Sequence, residues 1–242
     1  MIVNTVPQGW EIIYQQAHGV LAAQLAYHLK PELQCRHWVE TIIAIANHDN
    51  RQKTWRGKDG LTPAGAPADF TLLPTTLEQA QDLMHAVRFQ GRWVTLLTSM
   101  HMSFLYESRR REQKSAATFL DEQQALQRES RRSLGISRKE ADRAYAIMQW
   151  CDRFSLILCR NELPAGERAL EITAGPDGET YFIKQLQNGL LHAEPWPFAP
   201  EQVQVQVEYR VLEQLQFKND QELARALRQA KPEFKTWMLG AT

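Results

Sequence analysis

The chain has 242 residues, 28 Lys+Arg balanced by 28 Asp+Glu, and 43% hydrophobic residues, enough to bury a core as one large domain or a domain plus an appendage. Zero net charge excludes bulk attraction to a polyanion, so phosphate or nucleic-acid binding would have to rest on a local patch. Three cysteines without a C-x-x-C pair read as free thiols, and the chain shows neither a cationic-then-apolar leader nor a run of ~18 apolar residues; a reducing, cytoplasmic setting with no membrane partner is expected.

In chain order, Ile2 to Thr5 and Trp10 to Tyr14 flank Pro7, Gln8 and Gly9 with the β-rich texture of a short hairpin. From residue 16 the period changes. His18, Leu21, Ala22, Leu25 and Leu29 follow the i, i+3, i+4, i+7 spacing of an amphipathic helix that stops near Pro31. A second helix is predicted over 34–48, with Thr41, Ile42, Ile45 and Ala46 on its apolar face. Residues 50–75 show no periodicity and collect Gly57, Gly60, Pro63, Gly65, Pro67 and Pro74, as a long functional or mobile loop does. Helices are predicted over 76–90, 92–107, 113–133 and 137–160, the last opening on a capping box of Ser137 and Glu140. After Pro164 the texture turns to β at 169–173, 180–186 and 203–211, where VQVQVEYRV alternates strictly; a helix over 220–230 and a short segment at 236–239 follow. The expected architecture is mainly α with a small appended β part, an α+β protein. Residues 1–163 form a helical bundle with the hairpin and the 50–75 loop, and residues 164–242 form a C-terminal antiparallel sheet with one helix, packed on the bundle.

Certain polar residues fall on apolar stripes. His18 shares a face with Leu21, Ala22 and Leu25; His48 lines up with Ile45 and Thr41, and Asp49 with Ile45 and Ile42. His101 lies between Leu97 and the pair Phe104 and Leu105, and Asp152 has Tyr145, Met148, Leu156 and Cys159 along its stripe. A buried carboxylate needs cationic company, and no Lys or Arg lies on those stripes. A shared divalent cation resolves all these positions at once. Consecutive helical residues point ~100° apart, so His48 and Asp49 can share an ion only near the helix end, where the sequence places them. The loop that follows can cover the site or carry Arg51, Lys53 or Trp55 over a substrate.

At these residues the chain resembles the HD superfamily of metal-dependent phosphohydrolases, whose helical bundles use a His, then a His-Asp doublet, then a distant Asp: here His18, His48-Asp49 and Asp152. Over its full length it is similar to a family of uncharacterised bacterial proteins, a domain of unknown function that joins such a bundle to a C-terminal β segment. HGVLAAQLA at 18–26, NHD at 47–49, CDRFSLILC at 151–159 and PWPF at 195–198 carry that likeness. The HD resemblance implies an HD-like bundle in which His18, His48, Asp49 and Asp152 are metal ligands and a metal-bound water attacks phosphorus. It leaves His85 and His101 as the candidates for a second ion. His101 points inward and is also placed to contact phosphate or act as a general acid, whereas His85 looks half exposed.

Plainer readings stand beside these. His101 alone is equally a satisfied core histidine, Asp152 could pair with Arg153 or Arg36, and His28, His37 and His192 read as surface or packing residues. Arg109, Arg110, Arg111, Arg128, Arg131, Arg132, Arg138 and Lys139 read as solvated helical faces, able at most to steer an anionic substrate; without interleaved aromatics, nucleic acid is not an expected partner. Trp196 and Phe198 are expected to seal sheet against bundle, and strand 203–211 to lie at an edge where a second copy could pair, giving a homodimer. Two functions follow. One is a phosphomonoesterase or phosphodiesterase acting on a small phosphorylated compound or nucleotide, with Asp49, His101 and Lys53 in catalysis. The other is a non-catalytic metal- or ligand-binding protein with a structural, sensing or partner-binding role. Nitrogen and oxygen donors without sulfur admit Fe, Mn, Ni, Co, Zn or Mg.

Overall fold

The computed structural model describes residues 1–50, 55, 57–73 and 76–241. Its strands and α-helices run β1 (Ile2–Val6), β2 (Gly9–Ile13), α1 (Gln15–Tyr27), α2 (Trp38–Asn47), α3 (Leu77–Val87), α4 (Arg92–Tyr106), α5 (Lys114–Leu134), α6 (Arg138–Cys159), β3 (Leu170–Ala174), β4 (Thr180–Gln185), β5 (Leu191–Glu194), β6 (Gln202–Leu212), α7 (Asp220–Gln229) and β7 (Glu233–Gly240). Local chemistry sets the helix ends. Thr76 with Gln79 and Ser137 with Glu140 form reciprocal capping boxes at the starts of α3 and α6, and Gly135, at φ +64°, supplies the left-handed residue that ends α5.

The strands form one seven-stranded sheet in the order β1-β2-β6-β7-β5-β4-β3. This corrects the expectation of a mainly α protein with a small C-terminal β part: the β component is a full sheet, and its first two strands come from the N-terminal hairpin. It is also mixed, because β5 and β7 pair in parallel through Leu191 and Leu239 while the other neighbours are antiparallel. Pairing across the chain, such as Glu11 with Val211, leaves no trace in local alternation, which is why the sheet's extent was not readable from the pattern. β6 runs between β2 and β7 and is paired on both sides, so it is not the edge strand expected to meet a second copy.

Of the helices, α1, α6 and α7 rest on this sheet and the others build on α1 and α6. α1 packs on α2, α6 and β6, α4 packs on α2, α5 and α6, and α6 reaches β3. Two details fix the helices nearest the site. Gly19 allows α1 to approach α2 so closely that an added Cβ would stand 2.6 Å from the Ala46 carbonyl oxygen. From α4, Trp93 Nε1 donates to Thr41 Oγ1 at 2.8 Å in a buried setting, tying α4 to α2. From α6, Trp150 meets Phe154, Tyr181 and Phe198 edge to face, joining the helix to the sheet and to the 195–198 corner. Among the described residues no helix is long and apolar enough to cross a membrane.

Candidate metal centre

Four helices deliver five donor side chains to one place: α1 brings His18, the turn ending α2 brings His48 and Asp49, α4 brings His101 and α6 brings Asp152. The helical hydrogen bonds of α2 stop at Asn47, and the chain turns through residues 48–50, with His48 N–H donating to the Ile45 carbonyl. That departure lets two consecutive side chains aim at a common region.

His18 Nε2 and His48 Nε2 lie 3.2 Å apart, and Asp152 Oδ1 lies 3.5 Å from the first and 3.0 Å from the second. Asp49 Oδ2 stands 3.7 Å from His18 Nε2 and 3.9 Å from His48 Nε2, while its Oδ1 turns toward His101 Nε2 at 3.5 Å. Donors bound at about 2.1 Å to one cation stand about 3.0 Å apart along octahedral edges and about 3.4 Å apart along tetrahedral ones. The separations around His18, His48 and Asp152 are of that size. The orientation agrees: despite its short distance from His48, Asp152 Oδ1 completes no aligned hydrogen bond, and neither does His101 Nε2. We read the 3.0 Å approach as an electrostatic contact between groups aimed at a shared point. Buried acceptors left without donors, facing imidazole lone pairs, fit a divalent cation.

The surroundings hold these groups in place. His48 Nδ1 donates to the Ile45 carbonyl at 2.6 Å, which fixes the tautomer that presents Nε2 as the coordinating atom. Gln15 Nε2 donates to Asp49 Oδ2 at 3.0 Å, and the Tyr145 hydroxyl meets His101 Nδ1 at 3.4 Å. The rings of His18, His48 and His101 meet at right angles, successive centroids 5.0 Å apart. His18, His48 and His101 are buried, whereas the Asp49 and Asp152 side chains are 17% and 19% exposed, so solvent reaches the cluster from the carboxylate side. Burial opposes charge on His48, but Asp152 and Asp49 outweigh it and raise its pKa to about 9. Burial likewise opposes charge on both carboxylates, yet the facing histidines hold Asp49 and Asp152 well below the ordinary carboxylate range. Without an ion, a proton on His48 thus supplies part of the positive charge the carboxylates require.

His18, His48, Asp49, Asp152 and His101 therefore come together. The pairing of Asp152 with Arg153 or Arg36 does not occur: Arg153 binds Glu162 at 2.7 Å, and among the described residues no lysine or arginine pairs with Asp49 or Asp152. His85 is exposed on α3 against Phe89 and takes no part in the cluster. Phe104 is 60% exposed and stacks beside His101 instead of joining the core. Lys53 and Arg51 lie outside the described residues. Trp55 is turned away, its Nε1 donating to Asp220 at 3.1 Å. Gln15 was not among the expected site residues, its place three residues before His18 being only a weak signal, and Tyr145 entered only as a neighbour on the Asp152 stripe.

No curated protein and no solved structure matches the chain. A family described as proteins of unknown function, DUF3891, matches residues 1–214. With the match running from β1 through β6 and spanning every donor of the centre, the chain belongs to the DUF3891 family.

Proposed function

We propose that the protein is a metal-dependent phosphohydrolase of HD type, acting on a small phosphorylated compound or nucleotide. The observation that carries this reading is the convergence of His18, His48 and Asp152 at 3.0 to 3.5 Å, with Asp49 extending from that group toward His101. His18, His48, Asp49 and Asp152 would hold the cation. Such a cation lowers the pKa of water and offsets charge on phosphoryl oxygens.

The chain's own residues account for the remaining needs. Gln15 holds the Asp49 carboxylate in its orientation, leaving Oδ1 directed toward His101. His101, with Nε2 free of hydrogen bonds and Nδ1 near the Tyr145 hydroxyl, is placed to hold or pass a proton at Nε2 or to contact a phosphoryl oxygen. The buried imidazole side keeps water out, and the partly exposed carboxylate side is where a substrate arrives.

The test is turnover on a panel of phosphomonoesters, phosphodiesters and nucleotides with Mn, Mg, Fe, Co, Ni and Zn added in turn. An active wild type, with Asp49→Ala inactive but folded, supports the proposal; a panel without turnover for any ion sinks it. One observation favours a second reading, a structural ion: the three histidines are buried and clamp α1, α2 and α4 together. In that case Asp49→Ala would lower the melting temperature and there would be no activity to lose.

A further inference from the structure

Away from the metal centre, α4, α5 and α6 border an open polar pocket of about 340 Å³ whose lining includes Ser103, Gln127, Arg128, Arg131, Arg138 and Asp142. Three guanidinium groups thus face one carboxylate. Asp142 sits 3.5 Å from Arg138, whereas the guanidinium groups of Arg128 and Arg131 form no hydrogen bond or ion pair among the described residues. Neighbouring acids on α5 are committed elsewhere: Glu129 to Arg92 at 2.7 Å and Asp121 to Arg110 at 2.6 Å. Gln127 is braced from α4, donating to Ser103 Oγ at 2.9 Å and Ser99 Oγ at 3.2 Å, which sets the polar floor. An ordinary solvated basic face is convex and interleaved with acids; this one is concave and carries an excess of cations.

We infer that this pocket is a binding site for a small phosphate-bearing anion, separate from the metal centre. Guanidinium forks match phosphate oxygens in paired, charge-assisted hydrogen bonds, and a ligand placed among them relieves the crowding of like charges. The volume lies at the lower end of small-ligand pockets, which suits a diphosphate or a compact nucleotide. Among the described residues no aromatic side chain lines it, so it lacks the stacking surface that a nucleic-acid strand uses. Its separation from the centre follows from helix geometry. Asp142 precedes Asp152 by ten residues on α6, about 15 Å along the axis at ~1.5 Å per residue, and Ser103 faces α5 while His101 faces Asp49.

Calorimetric titration of the metal-free, untagged full chain with pyrophosphate tests the inference, because without an ion the other site sets two carboxylates against one protonated histidine and offers an anion no net positive charge. Saturable binding of one pyrophosphate per chain is expected, about tenfold or more weaker in Arg128→Gln/Arg131→Gln and unchanged in Arg111→Gln. Should the double variant fold poorly, Arg138→Gln, at a position 83% exposed, still weakens binding severalfold. A nucleoside triphosphate binding more tightly than pyrophosphate identifies a nucleotide ligand, and equal binding identifies the polyphosphate alone. No saturable heat, equal affinity in the arginine variants, or citrate binding as tightly as pyrophosphate overturns the inference.

Discussion

At the scale of single residues, the centre balances two partly exposed carboxylates against three buried imidazoles, and each member has a distinct consequence when changed. Asp152→Asn keeps the shape but removes the charge between His18 and His48; it is expected to lower metal content at least tenfold, read by elemental analysis, with circular dichroism unchanged. Gln15→Ala removes only the hydrogen bond that orients Asp49, and a supporting contact of this kind is worth roughly 10- to 100-fold in metal affinity, measured by competition with a chelating dye. His48 gives metal-free protein a pH response of its own. Its pKa in the folded protein, about 9, lies above the ordinary value of 6.5, so in metal-free protein its contribution to stability is complete below pH 6.5 and is lost as pH rises through 9. Melting temperatures should fall more across that window without metal than with it, since a bound ion would replace the proton; a fall of equal size in both states would contradict the arrangement. The five donors were legible because polar residues on apolar stripes demand an explanation. Gln15 was not, since an uncharged amide beside a helix start imposes no comparable cost.

Between elements, the close crossing of α1 over α2 sets the distance between His18 and His48. Gly19 sits at that crossing, where a methyl group would meet the Ala46 backbone at 2.6 Å, so no side chain can rotate away to make room. Gly19→Ala gains helix propensity yet should destabilise the protein by about 1 to 3 kcal/mol in urea titrations and weaken metal binding as the two histidines separate. An unchanged midpoint would mean that the helices tolerate a wider crossing. Helix positions followed from periodicity and caps: the box at Ser137 gives one of the starts, and the structure adds a second box at Thr76. β5 was missed because four residues, LHAE, are too short to show alternation, and β7 was reduced to 236–239 because EFKTWMLG opens on exposed and charged residues.

Across the whole molecule, the sheet draws strands from both ends of the chain and so fixes the helices that carry the donors. Lys235 on β7 reaches Glu11 on β2 at 3.0 and 3.1 Å and Asn161 at 2.7 Å, while Asn4 joins Glu11 to the carbonyl of Cys159 at the end of α6. Glu11 is 5% exposed, so Lys235→Met leaves a buried carboxylate without its cation; a loss of about 2 to 3 kcal/mol is expected in denaturant, moderated by the partial exposure of the lysine. Such long-range closure was the part of the fold that local pattern concealed. The central claim, that α1, α2 and α6 hold one divalent cation between them, is tested most directly by the metal-to-protein ratio of the untagged chain after saturation with Mn, Fe, Co, Ni or Zn and removal of loosely held ions. At least one ion per chain is predicted for one or more of these metals. A ratio near zero for all of them, in folded protein, would contradict it.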